Sequence, residues 1–272
     1  ILSIAPDGRR IDIVTDTTGR PLGLELYRGD RIVVCDAERG LLLLDPASGA
    51  IQTLVARGVH DLRVCNNAAV AADGTIYFSD SSQRFDLTHW TADLIEHSGT
   101  GRLLRRSPDG EVEVLLDGLQ FANGVALAGD GSFVVVAQTG SYELTRYWLT
   151  GPRTGQSQTF GDILPAFPDN LSTGPDGLIW IAMASYRKTA LDRTATVPLA
   201  RKLIWALPEA LHPKPDKIVW VRALNSEGDV VHDLFGTDDD FFMVTGVREH
   251  DGRLYLGSLE TTSVAVVDLP RT

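Results

Sequence analysis

Residues 121–149, FANGVALAGDGSFVVVAQTGSYELTRYWL, decide the fold. A short apolar run ends at Asp130-Gly131, a pair that supplies the positive φ a tight hairpin needs. A run rich in Val follows, then a polar break and a third run ending in Tyr147-Trp148. β-Branched and aromatic side chains suit a pleated, half-buried surface, so the segment reads as an antiparallel meander.

The same order recurs along the chain. GDRIVVCDAERGLLLLDPASGAIQTLV (29–55), DGTIYFSDSS (73–82) with TGRLLRRSPDGEVEVLL (100–116), DGLIWIAMAS (176–185) and DGRLYLGSLETTSVAVVDL (251–269) each place a Gly turn before an apolar strand and a second strand after a polar break. A short strand precedes each unit: RPLGLEL, NNAAVAA, NGVALAG, DNLSTGP and TGVREHD. Asn123 and Asn170 lie 47 residues apart, close to the length of one four-stranded propeller blade. Longer spacings have visible causes, in insertions near 83–100 and 186–216 with helix-like portions, placed where lids over a central funnel are built.

The expected architecture is all-β: a six-bladed β-propeller spanning 1–272 as one domain. Five units are whole or nearly so, while residues 1–17 resemble the outer half of another, so blade one is expected to be incomplete at its N-terminal side. A propeller must close to hide its strand edges.

Composition narrows the function. Against 36 acidic side chains stand 25 basic ones, and the net charge of -11 repels phosphate backbones and anionic lipid, which argues against nucleic acid as a partner. No apolar run approaches the ~18 residues a membrane span needs. The start, ILSIAPDGRR, lacks the pattern of a secretory signal; a cytoplasmic location is favoured, and a mature exported form would look the same. Oligomeric state is not legible. Cys35 and Cys65 match no zinc or redox spacing and read as two buried free thiols rather than a disulfide.

Polar residues at the starts of the inner strands form the set that could carry chemistry: Asn66 and Asn67, Asn123, then Asp169 and Asn170. Equivalent positions of successive blades converge on a propeller's axis, so these become a ring of oxygen donors. Oxygen ligands without sulfur or imidazole suit Ca²⁺ or another hard divalent cation; the bland reading is that Asn and Asp cap turns. No G-x-S-x-G nucleophile elbow occurs. His89 and His97 fall eight residues apart and cannot share one ion, although His89 could reach a funnel. His60, His232 and His250 read as loop and turn histidines, Asp238 to Asp240 as a solvated turn, and Tyr147 and Trp148 as packing between blades. Asn170-Leu171-Ser172 fits a glycosylation sequon, but one expected to face the channel.

Taken together, GRPLGLEL, TIYFSDSS, TGRLLRRSPDG, LQFANGVALAGDGSFVVVAQT, RYWLTGP, LPAFPDNL and EHDGRLYLGSL resemble the strictosidine synthase-like family, within the superfamily of SMP-30/gluconolactonase, paraoxonase and diisopropylfluorophosphatase propellers. The resemblance runs from about residue 20 to 268 and implies a six-bladed propeller with its active site on the axis. In the metal-dependent relatives a divalent ion is held by a Glu, Asn residues and an Asp; by motif Asn66 and Asn123 fall on the amides and Asp169 on the acid, while the Glu has no counterpart here. The family's namesake condenses tryptamine with an aldehyde using a last-blade Glu, whose place here holds Thr245. A threonine cannot take the proton as a carboxylate does. The leading expectation is therefore a metal-dependent hydrolase of lactones or related esters acting on a small-molecule substrate, with Asp169 as ligand and catalytic residue. The alternatives are a non-catalytic binding or scaffold propeller with a structural ion, and the namesake condensation, which Thr245 disfavours.

Overall fold

A computed structural model describes residues 1–188 and 216–269. Among these, four sheets have four antiparallel strands, one has three, and Leu2–Ile4 pairs with Ile11–Ile13 in a two-stranded ribbon. Each larger sheet is laid down in chain order: Pro21–Tyr27 to Ile51–Ala56, Cys65–Val70 to Val112–Leu119, Ala122–Leu127 to Ser157–Thr159, Ala166–Thr173 to Val230–Gly236, and Val244–His250 to Ala265–Asp268. The protein is an all-β propeller with five such blades.

The first strand of each blade packs against the first strand of the next, so Pro21–Tyr27, Cys65–Val70, Ala122–Leu127, Ala166–Thr173 and Val244–His250 follow one another around an inner rim. The apolar cores lie between blades. Phe133, Val135 and Leu144 of the third complete blade pack with Leu171, Ile179 and Met183 of the fourth, and Trp148 lies against this group. Tyr147 packs instead with Leu103, Val125 and Val134, between the second and third. Both aromatics occupy the inter-blade places expected from the sequence.

The ribbon lies beside the first complete blade, where Ile1 and Val14 pack on Val34, Leu42 and Leu44. Its other face, Leu2, Ile4, Ile11 and Ile13, is exposed, as are Leu24 and Leu26 of the first inner strand. The first and last inner strands meet through the Arg248–Glu25 ion pair. The insertion after Ser82 carries the expected helix, Trp90–Glu96; that after Tyr186 lies largely outside the described residues.

Two sequence readings need correction. His232 is no turn residue: it sits in Val230–Gly236 and stacks on Trp180, ring centroids 5.5 Å apart and planes 8° from parallel. Asp169 and Asn170, expected to open an inner strand, stand in the middle of Ala166–Thr173, which begins earlier.

Candidate functional site

An irregularity shared by all five inner strands builds the site. Pairing with the second strand shifts register between Pro21 and Leu24, Cys65 and Ala68, Ala122 and Val125, Pro168 and Leu171, and Val244 and Gly246. Such bulges re-aim side chains and are concentrated near functional sites. They put Leu22, Asn66, Asn123, Asp169 and Thr245 at one equivalent position, and Gly23, Asn67, Gly124, Asn170 and Gly246 at the next. The candidates scattered through the sequence thus share one rim.

The second position faces the neighbouring blade. A Cβ on Gly124 would lie 2.2 Å from the Leu171 nitrogen and 2.5 Å from the Asp169 carbonyl oxygen, and one on Gly23 would lie 2.7 Å from the Asn66 carbonyl oxygen, so only glycine permits these approaches. Where a side chain stands there it binds across the joint: Asn67 Oδ1 accepts the Val125 N–H at 2.8 Å, and Asn170 Nδ2 donates to the Thr245 carbonyl at 2.6 Å. That bond also occupies the nitrogen of the Asn170 sequon.

The first position holds the chemistry. Asn66 and Asn123 are buried. Asn66 Nδ2 donates to Ser81 Oγ at 2.8 Å, and Asn123 Nδ2 to Thr139 Oγ1 at 3.1 Å. Committing the amide nitrogens to protein acceptors frees the oxygens: Asn123 Oδ1 and Asn170 Oδ1 are both buried without a hydrogen-bond partner. Leaving such oxygens unsatisfied is costly, about 1–3 kcal/mol each.

Asp169 keeps a partial opening to solvent, yet protein surrounds its carboxyl. This desolvation pushes its pKa up to about 7, against the opposing pull of the Asn123 side chain and the Asn170 backbone N–H. Among the described residues no Lys, Arg or His forms an ion pair with it. A desolvated acid beside the unpaired oxygen of Asn123 is a set that can accept a cation, and its hard oxygens fit Ca²⁺ better than a thiophilic metal. Among the described residues no group of three His, Cys, Asp or Glu side chains is placed to hold a metal ion.

Thr245 stands at the first position of the last, three-stranded blade, partly exposed. His89 is exposed in the insertion and shares a hydrogen bond with Thr88 Oγ1. His60 lies in a turn whose carbonyl accepts Arg102 Nη2; Arg102 in turn pairs with buried Asp80 at 2.7 Å. Sequence reasoning passed over Asp80, although IVVCD and IYFSD end in the same acid. Two surface concavities, of about 550 and 470 Å³, are lined by Arg57, Asp61, Arg63 and Gln83 and by Asp130, Pro175, Asp176 and Asn225. Neither includes Asp169, so the case for the rim rests on its unpaired oxygens.

Among the described residues five blades around a polar inner rim make the molecule a β-propeller. A gluconolactonase from Xanthomonas campestris is similar over 99% of this chain and 78% of that one, with TM-score 0.69 and 20% identity. A calcium-binding regucalcin from Agrobacterium tumefaciens matches 94% of this chain and 73% of that one, with TM-score 0.62 and 15% identity. These likenesses concern the fold. A strictosidine synthase model matches residues 66–152. Protein STRICTOSIDINE SYNTHASE-LIKE 10 of Arabidopsis thaliana is 34% identical across 92% of this chain and 70% of its own length. The adipocyte plasma membrane-associated protein of Salmo salar is 33% identical, across 93% of this chain and 64% of its own length. The chain belongs to the strictosidine synthase-like family.

Proposed function

We propose that the protein is a metal-dependent hydrolase of lactones or related esters, with its site at the inner rim of a six-bladed propeller. The ribbon Leu2–Ile4 with Ile11–Ile13 is then the outer half of one blade, beside the first complete blade. The single observation that carries the reading is the desolvated Asp169 carboxyl next to Asn123, whose side-chain oxygen is buried and unpaired. The gluconolactonase-like fold supports the substrate class.

In this reading Asp169, Asn123 and Asn66 hold a divalent cation, Asp169 supplying charge and the amides neutral oxygen. Held there, a divalent cation would supply Lewis acidity toward a substrate carbonyl oxygen and a nearby water. Asp169 is otherwise half-protonated near neutrality and can hold or release a proton at its carboxyl. Thr139 keeps Asn123 oriented through Nδ2, and Thr139 Oγ1 donates in turn to the Pro168 carbonyl at 2.7 Å, one residue before the acid. Glycines and amides of the second position fix the spacing of the rim.

Calorimetric titration of chelator-stripped protein with Ca²⁺ tests the site. Binding by wild type, lost or weakened about tenfold or more in Asp169→Asn, supports it. Equal affinity in both, or no binding by wild type, refutes it. Condensation of tryptamine with an aldehyde is not proposed, because Thr245 carries no acid.

A further inference from the structure

We infer that Cys35 and Cys65 form a dithiol–disulfide pair that locks the first complete blade to the second. This stands apart from the reading of the rim. Both cysteines are free and completely buried. They share one apolar cluster with Val33, Leu41, Phe78 and Leu104.

The direction of Cys35 follows from the fold. Asp36 pairs with Pro21, Asp80 with Cys65 and Gln138 with Ala122, so Cys35 is equivalent to Ser79 and Ala137 in the next two blades. Ser79 Oγ reaches across its own joint to the Asn123 carbonyl at 2.5 Å, at the start of the following inner strand. Cys35 is aimed the same way, at the residue directly before Asn66. In the other two blades this place holds Ser or Ala; only at the first joint do two thiols meet among these three.

Oxidation balances with hydrogen peroxide as the oxidant. One thiol attacks peroxide, becoming a sulfenic acid and releasing a water; the second thiol attacks that sulfur, forming the S–S bond and releasing a second water. Two thiols lose two hydrogens and two electrons, and peroxide is reduced to two waters. Both thiols are completely buried, so the closed joint reacts slowly and the step waits for local opening. The bond would close a loop across 30 positions of sequence and restrict the unfolded chain.

The test exposes reduced protein to peroxide in low urea, returns it to buffer and measures three things. These are thiols titratable in denaturant, peptides under non-reducing conditions, and Tm. The expected result is loss of both thiols, a Cys35–Cys65 linked peptide within one molecule, and a Tm raised by several degrees that dithiothreitol reverses. Cys35→Ala, which copies Ala137, should fold and show neither link nor rise. Two thiols surviving treatment, cross-links between molecules alone, or a link with unchanged Tm would each overturn the inference.

Discussion

Asp169 couples the site to pH. Its carboxyl is raised from 3.8 to about 7 by burial, so the folded protein binds this proton more tightly than the unfolded chain. The sign follows: in metal-free protein its contribution to stability is fully present below about pH 4 and is lost as pH rises through about 7. Tm of chelator-treated protein should therefore fall between pH 5 and 8 more steeply for wild type than for Asp169→Asn, and parallel curves would contradict the assignment. Cation affinity should move the other way, rising through pH 7 as the competing proton leaves. Thr245 belongs to the same scale. With a hydroxyl where the family's namesake has an acid, the protein should form no condensation product from tryptamine and secologanin above the uncatalysed rate, as chromatography of the mixture would reveal. Asn66, Asn123 and Asp169 stand out in the sequence because a polar residue recurs at the start of three consecutive inner strands. The commitment of their amide nitrogens was not, since Ser81 and Thr139 reach them only through the folded sheet.

At the scale of the element, the bulged inner strand is the unit that repeats. Asp-Gly pairs and alternating Val, Ile and Tyr announced the meanders, and the structure has strands at each. The register shifts stayed hidden because a bulge is settled by what packs against both strands, not by the residues of one. Hence Asp169 and Asn170, β-poor in isolation, sit inside a strand. The joint between blades makes two predictions. Gly124→Ala forces a Cβ into the backbone of Leu171 and should cost at least about 2 kcal/mol in urea unfolding. Asn67→Ala strands the buried Val125 N–H and should cost about 1–3 kcal/mol. Values near zero would mean the inner strands separate easily. Beside this joint, Asp80 is pushed up by burial while Arg102 pulls it back. Removing Arg102 alone would leave a buried acid beside the His60 turn, at a cost of about 3–5 kcal/mol. His232 escaped the sequence reading for the same reason as the bulges: its partner, Trp180, lies on a strand 52 positions away.

Across the whole molecule, five blades share one rim, and the joints differ in what stands on either side. The three central inner strands each pack between two neighbouring inner strands, whereas Pro21–Tyr27 and Val244–His250 face each other through the partly exposed Arg248–Glu25 pair. Amides of those two strands should exchange hydrogen faster than those of Ala122–Leu127, as mass-resolved exchange can show. The acidic surface, with net charge -11, raises the local concentration of cations around the propeller but does not create a site. The proposed site lies at the rim, where the Asp169 charge and the unpaired Asn123 oxygen coincide. The most direct test of the account is hydrolysis of a panel of lactones and aryl esters by chelator-stripped protein, with and without added Ca²⁺, in wild type and Asp169→Asn. The account predicts turnover by wild type that disappears with chelator, returns with Ca²⁺ and is lost in the variant; metal-independent turnover, or equal rates in both proteins, would contradict it.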